Sequence, residues 1–162
     1  ELFSPLLHEA YTTLSENREN VGLEYESDLL TYPHRVLADM HWESDRMTGR
    51  TQAGIHKDDY KLSIKNMPAK EFGSQGQIKS LIFALHLGKY AILRDTSGYK
   101  PLLILDDIFD KLDERRLRQL MEILMTPQFG QVFISDTSSS RVGSYVPGQL
   151  LHSIPMEFEP GS

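Results

Sequence analysis

Two adjacent carboxylates, Asp106 and Asp107, close an apolar run in the stretch PLLILDDIFDKLDERR. Neighbouring side chains on an extended chain point to opposite sides, so the two acids can do different work. One offers the hard oxygens that suit Mg²⁺, directly or through water. The other can orient or deprotonate an attacking water. The plain alternative is a buried strand that stops at polar residues. Upstream, EFGSQGQIKSLIFAL places Ser74 between Gly73 and Gly76, directly before a long apolar run. Glycine costs a helix roughly 1 kcal/mol relative to alanine. That cost is accepted where backbone amides at a helix start must come close to an anion. An ordinary turn capped by Ser74 accounts for the same residues. His56, Asp58 and Asp59 are too compactly spaced for a sound metal set, so a structural or interfacial role is expected of them. Trp42 is expected in the core, with Arg46 and Arg50 on the surface beside it.

These residues need elements to position them. Helical spacing over Ser4–Asn17 puts Leu7, Ala10, Tyr11 and Leu14 on one face, and the alternation in VGLEYESDL predicts a half-buried strand carrying Leu23, Tyr25 and Ser27 inward. A second helix is predicted over His34–Met47, then short strands near Thr51–Ile55 and Tyr60–Ile64. From Gln75 to about Leu93 the pattern is strongly helical. Ile78, Leu81, Ile82, Leu85 and Ile92 form one stripe and Phe83, Leu87 and Tyr90 another, as in a helix buried on most sides. LLIL reads as a buried parallel strand. The next helix begins with Asp113 as N-cap and Glu114 in its first turn, and Leu117, Leu120, Met121 and Leu124 form its core stripe. Pro127 and Gly130 stop it before the strand QVFIS. Strand, helix, strand in this order predicts a parallel pair. LHSIPMEFE is read as an added edge strand, and Lys111 and Arg115 as a solvated face.

With 162 residues, 40% of them hydrophobic and 25% charged, the chain has the composition of an ordinary globular domain. The net charge of -6 argues against a uniformly basic nucleic-acid surface, and with no cysteine there is neither a disulfide framework nor a thiolate metal site. No apolar run approaches the ~20 residues of a membrane span. A cytoplasmic location without a membrane is therefore expected.

The order of the motifs is more specific than any one of them. It resembles the C-terminal half of an ABC-type ATPase head of the SMC class, an α/β fold with a P-loop NTPase-like parallel sheet and a helical signature lobe. GSQGQ matches the signature, LLILDD the Walker B strand and FDKLD the D-loop. Within that class GRTQAGIHKDD and FGSQGQIKSLIFALHLGKY most resemble the RecF family of bacterial repair ATPases. The resemblance is strong from about Gly49 to Thr137.

The resemblance implies that Ser74, Gln75, Gly76 and Gln77 face the γ-phosphate of an ATP bound mainly by a second subunit. It assigns Asp106 to Mg²⁺, Asp107 to activation of water and Asp113 to the D-loop, and it puts Asp136 or Thr137 where ABC proteins usually carry a switch histidine. Aspartate at the second Walker B position, in place of glutamate, suggests slow turnover. It further implies a homodimer on ATP binding, DNA (gapped or junction) and a RecR-type mediator as partners, and work in replication, recombinational repair and the SOS response. Residues 1–95 would form the signature-bearing lobe and 96–162 the C-terminal part of the nucleotide-binding sheet. No GxxxxGK followed by Ser or Thr is present and the chain opens at Glu1, so it is read as a fragment, inactive by itself. Two competing readings are the nucleotide-binding head of an ABC transporter and a non-enzymatic interaction module.

Overall fold

In chain order the elements are α1 (Phe3–Leu14), β1 (Val21–Glu26), α2 (His34–Thr48), β2 (Asp59–Ile64), β3 (Met67–Pro68), α3 (Ala69–Phe72), α4 (Gln75–Ser97), β4 (Leu103–Asp106), α5 (Glu114–Leu124), β5 (Val132–Ser135) and α6 (Ser139–Gly143). This is a computed structural model, and it describes residues 2–16, 18–106, 108–109, 112–136 and 139–154. Two compact units result: one formed by Glu1–Arg18 with Gln75–Ser162, the other by Glu19–Ser74.

In the first unit α1 lies along α4. Leu7, Tyr11 and Leu14 are buried on α1, and Leu81, Ala84, Leu87 and Gly88 on α4, which is the spacing that an interhelical seam requires. α4 is not buried on most sides as its composition predicts. Ile82 remains 48% exposed and Leu93 46%, because one neighbouring helix covers one stripe only.

Tyr90 joins α4 to the strands. Its hydroxyl donates to the Pro101 carbonyl at 3.1 Å and accepts from the Gly130 N–H at 3.2 Å, while its ring stacks on Phe129. One amphipathic side chain thus fixes the segments that lead into β4 and β5. These strands are parallel, in register from Leu103 opposite Val132 to Asp106 opposite Ser135. α5 forms the connection, and the expected Leu117, Leu120, Met121 and Leu124 are its buried residues.

In the second unit β1, β2 and β3 form an antiparallel sheet in that order. Val21 stands opposite Ile64 and Glu26 opposite Asp59. The sheet is less one-sided than the alternation suggests, since Tyr25 is exposed and rests against Tyr60 at its rim. No strand forms over Thr51–Ile55. Gly54 has a φ of 129°, and a short 3-10 turn occupies Ile55–Lys57. The segment is held by hydrogen bonds from the Gln52 N–H to Asp45 and between the His56 ring and Thr51. On α2 only Leu37 is buried, and Trp42 is 65% exposed, so its assignment to the core is overturned. No strand forms at 151–154, and the rest of that expected edge strand lies outside the described residues. Among the described residues no helix is long and apolar enough to cross a membrane.

Candidate functional site

The parallel register places Asp106, the last residue of β4, beside Ser135, the last of β5. The Ser135 hydroxyl donates to Oδ1 of Asp106. Asp136 follows directly, its side chain only 5% exposed, with Oδ1 3.7 Å from Nη1 of Arg141. Carboxylates and a hydroxyl therefore gather at the carboxyl ends of two parallel strands, where open α/β sheets bind ligands. Asp107 and Thr137 lie outside the described residues, as does Lys111. Sequence reasoning overlooked Ser135, although it ends its apolar strand as Asp106 ends β4.

The donor set at Asp106 fits a hard divalent ion. It offers a carboxylate and a hydroxyl, both oxygen ligands, on an exposed strand end. Among the described residues no three His, Asp or Glu side chains converge into a metal cage. An ion here would take one or two carboxylates and complete its shell with phosphate oxygens and water, as Mg²⁺ does. His56, Asp58 and Asp59 have separate local partners: Thr51, the Tyr25 hydroxyl and the Tyr60 N–H.

Asp113 performs the capping role expected of it. Oδ1 accepts from the Arg116 N–H at 2.9 Å, while Oδ2 accepts from the guanidinium of the same residue. The backbone bond first, then the guanidinium, holds the Asp113 carboxyl below the usual carboxylate range against some desolvation. Beside it, Arg115 is not simply solvated. Its guanidinium grips Glu16 just beyond α1 with two hydrogen bonds and lowers that carboxyl's pKa.

The residues expected to form the signature straddle the unit boundary. Ser74 is exposed and ends one unit, while Gln75, Gly76 and Gln77 open α4 in the other. Gly76 faces α5. A Cβ built there would stand 2.6 Å from Nη1 and 3.1 Å from Cζ of Arg116. The start of α4 and the capped start of α5 are therefore neighbours through one arginine, a residue that sequence reasoning did not single out.

No family model matches the chain. Among curated proteins, the DNA replication and repair protein RecF of Flavobacterium johnsoniae is 42% identical over 146 residues, covering 90% of this chain and 41% of that protein. RecF of Cytophaga hutchinsonii is 39% identical over 137 residues, covering 85% of this chain and 36% of that protein. The chain is homologous to RecF. It spans about two fifths of the length of the curated relatives that it matches, 41% and 36% for these two.

Two solved structures share its fold. The recombination mediator protein RecF-ATPrS in the RecFOR pathway aligns with a TM-score of 0.68 at 22% identity, over 85% of this chain and 38% of that one. RecF-ATP in the same pathway aligns with a TM-score of 0.66 at 23% identity. The α/β class and the resemblance to RecF expected from the ordered motifs both hold.

Proposed function

We propose that this chain is the C-terminal portion of a RecF-like, ATP-dependent DNA-binding ATPase of recombinational repair, in which ATP joins two heads and hydrolysis releases them. One observation carries the reading: in a homologue of RecF, the glycine of the signature lies against the arginine that holds the D-loop aspartate. The two motifs are far apart in sequence, and the reading requires them to act together.

In this reading Asp106, with Ser135 beside it, holds Mg²⁺, which when bound neutralises charge on phosphate oxygens. Asp107 takes the proton of the attacking water. Ser74, Gln75, Gly76 and Gln77 direct backbone and side-chain donors at the γ-phosphate of nucleotide on the partner head. Asp113 reaches toward the opposite site, and Asp136 or Thr137 occupies the switch position. ATP bound across the dimer stabilises it by linkage. The lobes proposed for this work, residues 1–95 and 96–162, cut across the packing units because α4 carries the signature at its start yet packs with the strand-bearing unit. Gapped or junction DNA and a RecR-type mediator are the proposed partners, in the cytoplasm.

The test is ATP turnover by the full-length protein, with and without gapped DNA, for wild type and Asp107→Asn. Stimulation of wild type by DNA, with a dead mutant that still dimerises on ATP, is the expected result. Turnover that ignores DNA and survives the substitution overturns both the repair role and the assignment of Asp107.

A further inference from the structure

We infer that Arg116 is a positioning residue for ATP turnover, and that Gly76 lacks a side chain in order to seat its guanidinium. The inference rests on the ATPase reading above and adds to it a residue outside the signature, Walker B and D-loop motifs.

Arg116 is held at two points. Its backbone N–H and its guanidinium both donate to Asp113, which fixes the fork at the head of α5. Three atoms of that fork, Nη1, Cζ and Nη2, crowd the space where a residue other than glycine would carry its Cβ, at 2.6, 3.1 and 3.3 Å from the site at Gly76. The Arg116 side chain is 27% exposed and that of Asp113 51%. The Arg116 side chain is therefore the less exposed member of the pair. A planar fork can bond a carboxylate with one edge and lie flat against backbone with its face, which an ammonium cannot do.

Two demands on glycine are separable here. Close approach of phosphate to the helix start would make any side chain at Gly76 harmful whatever stands at position 116. A seat for Arg116 makes a methyl harmful only while the guanidinium is present. Added Cβ volume would push the fork off and loosen Asp113, while the helix itself favours alanine over glycine. Turnover should therefore fall in Gly76→Ala with no matching loss of stability.

The experiment is a double-mutant cycle on the full-length protein, reading kcat, KM for ATP and the thermal unfolding midpoint. Arg116→Ala is expected to lower kcat on the order of tenfold while KM for ATP changes less than about twofold, as for a group that aligns the site without holding substrate. Arg116→Lys should fail to rescue. Gly76→Ala should lower kcat without lowering the unfolding midpoint, and adding it to Arg116→Ala should cost little more. Independent, multiplicative losses in the double variant would overturn the seat. So would full rescue by lysine, or a fall in unfolding midpoint that accounts for the lost activity. Absence of ATP turnover in the wild type would sink the ATPase reading and this inference with it. Turnover with multiplicative losses sinks the inference alone.

Discussion

Helices α5 and α2 begin from similar patterns and end in opposite situations. α5 has 11 residues and buries Leu117, Leu120, Met121 and Leu124; α2 has 15 and buries only Leu37. α5 also has a side-chain cap at Asp113, whereas α2 follows Pro33 with none. Met40, Trp42 and Met47 on α2 remain 63%, 65% and 88% exposed. Apolar residues at helical spacing give a helix its amphipathic face, but burial requires a second face opposite it. α5 has α1 among its neighbours, while α2 touches little beyond the short turn before it. Caps are local and can be read from sequence; a covering face is not.

The comparison can be tested from its strongest point downward. Leu120→Ala, at a side chain with no exposed surface, should cost about 2–5 kcal/mol in urea unfolding of the full-length protein. A smaller loss would mean that the α5 stripe is packed no better than α2. Asp113→Ala should cost about 1 kcal/mol by removing the cap.

Asp113→Asn keeps a capping oxygen and removes the charge, so its effect should depend on pH. The folded carboxyl is lowered, so its contribution is complete above the unfolded aspartate value of about 3.9 and disappears as pH falls through the folded value. Unfolding midpoints of wild type and Asp113→Asn should then differ at pH 7 and draw together progressively as pH falls below about 4, toward the folded value. A constant gap would show that the charge is not what Arg116 recognises. Arg115→Ala removes an exposed pair with Glu16 and should lower the midpoint less than Asp113→Ala, with a difference that added salt erases. Trp42→Ala closes the series, with a change within about 0.5 kcal/mol. A loss like that of Leu120→Ala would mean that α2 is covered in the full-length protein.

Much of the candidate site was legible because it is written in short-range chemistry. LLIL announces a strand, which ends at Asp106, and LDERR announces a cap followed by a helix; both form where expected. β4 is not buried as its apolar run predicts, however, since Ile104 is 70% exposed. Ser135 was less visible, because a serine that ends a strand matters only through the residue opposite it. Arg116 was not visible at all. Its value depends on Gly76, some forty residues upstream, and no periodicity links them. The Thr51–Ile55 strand failed for a related reason. Alternating residue types suggested extension, but Gly54 and the His56–Thr51 hydrogen bonds turn the chain instead.

By itself, then, the sequence determined the ordered motifs that mark a RecF homologue, the α1 and α5 stripes, the parallel strand pair and the cap at Asp113. Each follows from residues within a few turns or a few strand positions of one another. Only the tertiary structure decided that α4 is covered along one stripe, that Trp42 lies at the surface, and that Ser135 meets Asp106. It also decided that the missing side chain of Gly76 leaves room for Arg116. Those outcomes depend on which surfaces the chain brings together, and local propensity carries no information about a partner that is distant in sequence.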